Sequence, residues 1–265
     1  ETSGLSRRKI DSLYAGYLSN FRKLSFQLNL RNDDSNIFGD KTTWFIGASY
    51  ELMPILSLFA NKSTAFGIPT AYAISTNPSL LPEDHKSQEI GFNFFTLNNS
   101  LRFLFFESNT NNPITFDPSD FYMAKNFKSF SNNGVEISCR STIKNQIFNF
   151  SWTIQNPKTP SGFDPNVSVQ SARRARSFGS LTWTFLNNFY EIGAKGIYSS
   201  SRKDSDYSKI RLKKYFVLSV WTKINLKKDL ALTFRAGNLT NAKYQLANGY
   251  NTNPSSIYFG LNYDF

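Results

Sequence analysis

In the stretch SSIYFGLNYDF, residues 255–265, every second residue from Ile257 onwards is aliphatic or aromatic, and the residues between them are Tyr258, Gly260, Asn262 and Asp264. In an extended strand, every second residue from Ile257 to Phe265 would lie on one side, and that side would be entirely aliphatic or aromatic. An unpaired strand of this kind in water would invite aggregation. We therefore expect its apolar side to face lipid and its polar side, with Asn262 and Asp264, to face water.

The same period of two recurs along the chain, and no helical period of comparable strength accompanies it. Clear examples are residues 24–31, 44–51, 148–155 and 230–237. We expect an all-β fold with about thirteen strands of roughly ten residues each, the length needed to cross a bilayer at a tilt.

The predicted connections between strands alternate between short and long. Short turns are predicted at residues 20–21, 52–54, 97–99, 144–146, 187–188 and 227–228, and long connections at 32–40, 64–86, 107–131, 156–173, 199–213 and 240–254. A bacterial outer-membrane barrel has short periplasmic turns and long external loops. The pattern therefore predicts an antiparallel transmembrane β-barrel in the outer membrane of a Gram-negative bacterium.

The composition limits the classes of function that the chain can have. The mean hydropathy is −0.38, and aromatic residues make up 16% of the chain, which suits rings that face lipid or its interface. Cys139 and His85 are the one cysteine and the one histidine. They leave little material for a metal site, a catalytic pair or a triad, so we expect no metal, no cofactor and no enzyme activity.

The charge pattern concerns possible partners. A net charge of +11 would fit nucleic acid, lipopolysaccharide or an anionic ligand, and equally a general bias towards Lys and Asn. The charged residues occupy the strand phase opposite the large apolar residues, which argues against nucleic acid. Those expected to line the barrel interior are Lys23, Arg31, Glu51, Glu89, Arg102, Glu136, Arg140, Glu191, Lys195, Lys223 and Arg235.

Several stretches, in order along the chain, resemble elements of the TonB-dependent receptors of Gram-negative outer membranes. These are RNDDSNIFGDKTTW (31–44), NPSLLPEDHKSQEIGF (77–92), NNGVEIS (132–138), ARRA (172–175) and GNLTNAKYQLANGY (237–250). The likeness extends from about Tyr14 to Phe265 and is strongest to the cobalamin (vitamin B12) receptors of that family. Its siderophore receptors share most of these elements.

This resemblance implies a barrel of about 22 strands closed by an N-terminal plug. It also implies uptake of cobalamin or a similar scarce chelate, energised when TonB pulls on the plug. Residues 1–265 would form one receptor-like barrel domain that lacks the plug and the early strands. A fragment, half of a split gene and a decayed remnant all remain open. The alternative functions are a siderophore receptor barrel and a passive pore or structural protein.

The resemblance also implies roles for individual residues. Arg173 and Tyr207 match cobalamin-contacting positions of the family, where an arginine could donate hydrogen bonds to amide or phosphate oxygens and a tyrosine could lie against a flat macrocycle. Arg173 and Arg174 could equally contact lipopolysaccharide phosphate at a strand rim, and Tyr207 could be a loop or girdle aromatic. A last strand ending in Phe265 resembles the signal that the barrel assembly machinery recognises.

Overall fold

The computed structural model describes residues 8–117, 120–164 and 166–263, so the predictions for Asp264 and Phe265 lie outside the described residues. Within these ranges the chain forms strands joined by turns and longer connections, with one short helix. The elements are β1 (Ile10–Phe21), β2 (Leu24–Ser35), β3 (Gly39–Met53), β4 (Leu56–Gly67), α1 (Ala71–Thr76), β5 (Glu83–Phe95), β6 (Asn99–Asn111), β7 (Ile114–Asp117), β8 (Met123–Asn126), β9 (Ser129–Ile143), β10 (Gln146–Gln155), β11 (Lys158–Pro160), β12 (Ser168–Gln170), β13 (Ser177–Leu186), β14 (Tyr190–Ser199), β15 (Arg202–Lys203), β16 (Arg211–Leu212), β17 (Tyr215–Asn225), β18 (Leu230–Gly237) and β19 (Ser256–Tyr263).

The long strands form a 15-stranded sheet. Its hydrogen-bonded order is β1-β2-β3-β4-β5-β6-β9-β10-β13-β14-β17-β18-β19, with β11 and β12 off this path. Strands that follow one another along this path pair antiparallel wherever the register is described, as in β1 with β2 and β18 with β19. The predicted antiparallel all-β fold is confirmed, and the thirteen strands of the path match the predicted number.

The chain divides into two compact units. The first comprises Glu1–Phe92, Phe105–Asn133 and Asn156–Ser171, and the second comprises Asn93–Leu104, Gly134–Gln155 and Ala172–Phe265. The first unit contains β1 to β4, α1 and the β7–β8 and β11–β12 hairpins. The second contains β10, β13, β14 and β17 to β19, and it carries the candidate site.

Register in the first unit separates the two phases predicted from the sequence. Leu28 pairs with Ile46 on one face of β2 and β3, whereas Arg31 pairs with Thr43 on the other. Directly paired residues in antiparallel strands project to the same face, so the apolar side chains collect on one side. Lys23 is an exception to the predicted interior set, because it lies in the turn between β1 and β2.

The second unit shows the same separation. Phe234 pairs with Phe259 and Leu232 with Leu261 on the apolar face. This face is exposed: the exposed fraction of Phe259 is 81%. The buried apolar residues among those described are mostly alanines, the full set being Ala73, Leu104, Ala124, Ala175, Leu212, Ala231 and Ala236. The large apolar side chains therefore cover the outside of the sheet, which is the arrangement a lipid environment requires.

Stacked rings occupy part of the apolar face of the second unit. The ring centroids of Phe150 and Trp152 lie 6.3 Å apart, and those of Trp152 and Tyr198 lie 5.4 Å apart. Trp152 and Tyr198 both pair with Gly179, whose missing side chain leaves room for the indole. A Cβ at Gly179 would lie 2.5 Å from Trp152 Cε3, so glycine at this position permits the stack.

The connection predicted at residues 32–40 is wrong. β2 extends to Ser35 and pairs with β3 as far as the Ser35–Gly39 partners. The strands continue because their polar side chains find partners: Arg31 donates to both carboxylate oxygens of Asp33, and Ser12 donates to Asp33 Oδ1. Sequence composition alone does not distinguish such satisfied polar pairs from a solvated turn.

The other long connections are present and contain structure that the sequence did not predict. Helix α1 lies between β4 and β5, and Thr70 caps it by accepting a hydrogen bond from the Ala73 backbone N–H. The hairpins β7–β8, β11–β12 and β15–β16 occupy three more connections. No helix in the described ranges has the length and apolar character needed to span a membrane.

Candidate ligand-binding groove

A groove of about 710 Å³ lies on the polar face of the second unit. It is formed where β10, β13 and β14 reach the long connections, and Ser151, Ser180 and Ile197 form its floor. The volume is in the range of small-molecule sites. The groove is polar because side chains alternate along each strand: the polar ones project into the groove, and the apolar ones project from the opposite face of the sheet.

Cationic side chains dominate the lining. Arg173, Arg174, Lys195 and Arg202 line the groove, and no Asp or Glu of the described ranges is among its lining residues. The hydroxyls of Ser151 and Ser180, which are 3.1 Å apart, add neutral polar groups. Like charges in one concave site create a positive potential, so the groove attracts anionic groups.

Arg202 is the most buried of these cations, with an exposed fraction of 4%. Its guanidinium carbon lies 5.4 Å from the ring centroid of Tyr215. The Nη2 group donates to the Gln245 carbonyl oxygen at 2.8 Å. Tyr215 in turn stacks on Tyr244, with ring centroids 4.1 Å apart, so the long connection after β18 covers this part of the groove.

Arg173 lies in the connection between β12 and β13. Its φ of 55° is in the left-handed region, and its backbone N–H donates to the Lys203 carbonyl oxygen at 2.7 Å. The Nε atom lies 3.5 Å from Asp204 Oδ1, which also accepts a hydrogen bond from the Asn248 backbone N–H. Buried Asp204 therefore joins three connections, residues 171–176, 200–214 and 238–255.

Asp206 lies in the connection between β14 and β17, outside the spanning strands. Its Oδ1 atom is buried and accepts no hydrogen bond from the described residues, and Lys203 Nζ is 4.0 Å away. Burial raises the pKa of the Asp206 carboxyl above its ordinary value of 3.8. Lys203 and a hydrogen bond from the Ala172 backbone oppose this rise in pKa without cancelling it.

The two site residues predicted by resemblance occupy different places. Arg173 lines the groove, whereas Tyr207 does not, although both belong to connections that meet there. The Tyr207 backbone N–H donates to Ser205 Oγ at 3.2 Å, which holds it in the turn after β15. Contact of either residue with a ligand stays a prediction.

Sequence reasoning missed the part played by Arg202 and Tyr215. Lys195 was predicted to face the interior, and its register with Thr182 and Ser219 confirms that it lies on the polar face. Arg202 follows the end of β14, where alternation no longer applies, so no periodic signal pointed to it. No cluster of three or more His, Cys, Asp or Glu side chains suited to a metal ion occurs in the described ranges.

A family model described as TonB dependent receptor-like, beta-barrel, matches residues 2–264. The chain belongs to the TonB-dependent receptor β-barrel family. This confirms the resemblance seen in the sequence, and it places the chain in the outer membrane with the other receptor barrels of the family. The TonB-dependent receptor family comprises receptors and transporters.

Curated relatives of this TonB-dependent receptor chain are vitamin B12 transporters. It is 22% identical over 264 residues to BtuB of Photobacterium profundum, covering 95% of this chain and 43% of that protein. It is 24% identical over 254 residues to a BtuB of Vibrio vulnificus, covering 91% and 40%. The chain therefore spans less than half the length of these relatives.

Solved TonB-dependent receptor structures share the fold. The siderophore receptor PiuA from Acinetobacter baumannii aligns with a TM-score of 0.81 at 16% identity, covering 97% of this chain and 43% of that one. The ferric enterobactin receptor PfeA from Pseudomonas aeruginosa aligns with a TM-score of 0.79 at 15% identity, covering 97% and 45%. At these identities the likeness concerns the fold of the receptor barrel and not its ligand.

Proposed function

We propose that this chain forms the C-terminal part of the barrel wall of a receptor that takes up cobalamin or a similar scarce metal chelate. TonB would energise the transport by acting on a plug domain. The observation that carries the proposal is the groove of about 710 Å³ on the polar face of the sheet, at the end where the long connections meet. In a receptor barrel that end faces the outside, where a ligand arrives.

The lining of the groove supports capture of a metal chelate. Arg173 would donate hydrogen bonds to amide, phosphate or carboxylate oxygens of the ligand. Tyr207 would contact the ligand from the neighbouring connection. The relatives that are vitamin B12 transporters support cobalamin as one such ligand.

The exposed apolar face supports the remaining partners. Outer-membrane lipid and lipopolysaccharide would cover the face that includes Phe259 and Leu261. The alternating strand β19 supports recognition by the barrel assembly machinery, which the terminal Phe265 would complete. Residues 1–265 would then be one receptor-barrel domain.

Uptake assays test the transport proposal. Deleting the gene should abolish high-affinity uptake of radiolabelled cyanocobalamin or of a ferric chelate, and abolishing TonB should have the same effect. Arg173→Ala should weaken uptake affinity about tenfold through loss of a charge-assisted hydrogen bond. Lys228→Ala is the matched control, because Lys228 is a cation in the short connection between β17 and β18. Uptake that is unchanged in the deletion strain would contradict the proposal.

A siderophore receptor is the second candidate. The absence of Asp and Glu from the described lining of the groove, beside four cations, favours it, because many ferric chelates carry net negative charge. Competition between labelled cyanocobalamin and ferric chelates in the same uptake assay separates the two candidates. Ohmic conductance in planar bilayers without any uptake phenotype would instead support the passive pore.

A further inference from the structure

The connections that the sequence predicted as short carry an excess of positive charge. They comprise residues 22–23, 54–55, 96–98, 144–145, 187–189 and 226–229, and they hold five Lys or Arg residues and one acid, Asp229, so their net charge is five minus one, or +4. In an outer-membrane barrel the short connections lie at the periplasmic end. The leaflet at that end consists of glycerophospholipids, and the anionic ones attract cations at the membrane surface.

The turn between β1 and β2 places cations directly beside an exposed aromatic ring. Phe21 pairs with Leu24 on the apolar face, and its exposed fraction is 68%. The guanidinium carbon of Arg22 lies 5.5 Å from the centroid of the Phe21 ring, and Lys23 beside it is exposed. This order suits the boundary between acyl chains and phosphate groups, because the stem of a long cationic side chain tolerates apolar surroundings while its charge reaches the headgroups.

The turn between β9 and β10 repeats this order. Ile143 pairs with Gln146 at the end of the apolar face, its exposed fraction is 55%, and the exposed Lys144 follows it. Trp183 lies on the adjacent strand β13, and its indole Nε1 donates a hydrogen bond to Gln146 Oε1 at 3.0 Å. Tryptophan is enriched at membrane–water interfaces, so this neighbour is typical of a turn at the level of the lipid headgroups.

The backbone gives a second, independent observation at both turns. Arg22 and Lys144 each occupy the first position of a two-residue turn, and each has a φ of 52°, in the left-handed region that asparagine and glycine adopt with less strain. Neither cation makes an ion pair with a carboxylate of the described residues. A strained cation without an acidic partner in the described chain indicates a function for its charge.

We propose that these two turns bind the phosphate groups of anionic glycerophospholipids in the periplasmic leaflet. Arg22 and Lys23 bind a headgroup at the first turn, and Lys144 binds one at the second. Phe21 and Ile143 contact the acyl chains beside these headgroups and continue the lipid-facing surface of their strands. The proposal concerns the lipid around the barrel, and it holds whichever chelate the receptor takes up.

Lipid binding to the protein purified from outer membranes and freed of lipid in mild detergent tests this proposal. Native mass spectrometry gives an apparent Kd for phosphatidylglycerol and for zwitterionic phosphatidylcholine with the same acyl chains. The variants are Arg22→Asn and Lys144→Asn, because asparagine removes the charge and tolerates a positive φ. Lys209→Asn is the matched control, since Lys209 is an exposed lysine in the long connection between β14 and β17.

We expect Arg22→Asn and Lys144→Asn each to weaken binding of phosphatidylglycerol about fivefold, the effect of one cation near a membrane surface. Added salt should reduce this difference. Binding of phosphatidylcholine should stay the same, and Lys209→Asn should change neither Kd. Urea unfolding in phosphatidylcholine vesicles should show both turn variants to be at least as stable as the wild type, because asparagine relieves the backbone strain.

Several results would overturn the proposal. Phosphatidylglycerol binding that is unchanged in both turn variants would do so, and so would equal weakening by Lys209→Asn, which would indicate a general effect of net charge. Displacement of phosphatidylglycerol by inorganic phosphate would replace the lipid headgroup with a free phosphate ion as the ligand. Equal losses for the two lipids, or lower stability of the variants, would assign the effect to a damaged turn. None of these measurements involves a chelate, so such a failure would leave the transport proposal intact.

Discussion

Replacing Gly193 by alanine should displace Trp221 from the polar face of the sheet. The two residues are direct partners in the β14–β17 pair, and the indole lies over the glycine. A Cβ at position 193 would lie 2.6 Å from Trp221 Cη2 and closer still to other ring atoms. The ring must therefore move, and its Nε1 hydrogen bond to Glu191 Oε1, now 2.8 Å, would be lost.

Two costs and one gain set the expected size of this effect. Overpacking costs about 1–3 kcal/mol, and a hydrogen bond to a charged group contributes about 1.5–3 kcal/mol, less here because Glu191 is only half-buried. Replacing glycine in a strand returns about 0.5–1 kcal/mol of backbone entropy. The net expectation is a loss of about 2–3 kcal/mol in the free energy of unfolding.

Urea unfolding in lipid vesicles, followed by tryptophan fluorescence, measures this change. Gly196→Ala is the matched control in the same strand, since its Cβ would meet the Phe216 ring at 3.0 Å and needs only a small adjustment. In a Trp221→Val background the cost of Gly193→Ala should largely disappear. A loss below about 0.5 kcal/mol, or a loss that persists without the indole, would refute the steric reasoning.

Two further predictions concern buried carboxylates. Folding raises the pKa of Asp206, so protonation of this carboxyl stabilises the folded connection of residues 200–214. The stabilisation is fully present below pH 3.8, the ordinary pKa, and is lost as the pH rises through the raised pKa of the folded state. Asp206→Asn should therefore protect residues 200–214 from hydrogen exchange at neutral pH, and unchanged or faster exchange would contradict this. Asp33→Ala should speed exchange at the outer ends of β2 and β3, because Arg31 and Ser12 lose their shared acceptor. If the variant exchanged at the wild-type rate, backbone pairing alone would account for the stability of these ends of β2 and β3.

Alternation made the strands and their two faces predictable. The sequence pattern predicted that Lys195 and Arg235 lie on the polar side of their strands, and the strand registers place them there. The reason is local: in a strand, each residue's side is set by its neighbours in sequence, and membrane and interior demand opposite chemistry.

The connections were less predictable because long-range contacts decide their structure. Helix α1 depends on Asn77, whose side chain donates to the Ala124 carbonyl oxygen of the β7–β8 hairpin. A six-residue helix has too few residues for a helical period to be read from sequence. The burial of Arg202 likewise depends on Gln245, which arrives from a connection far along the chain.

Arg173 shows the limit of prediction for the site. Resemblance selected it together with Tyr207, and the structure places only Arg173 at the groove. Arg202 is more deeply buried than Arg173, but the sequence could not identify it, because its burial arises only when the connections assemble.

The role of Asp204 has a consequence for re-engineering specificity. Since one carboxylate ties Arg173 to the backbone of Asn248 from within a third segment, these segments are not interchangeable modules. Transplanting any one of them from a homologous transporter would leave a buried acid or its donors unmatched. Altered selectivity should therefore be sought by exchanging all three segments at once, or by point changes that leave this junction intact.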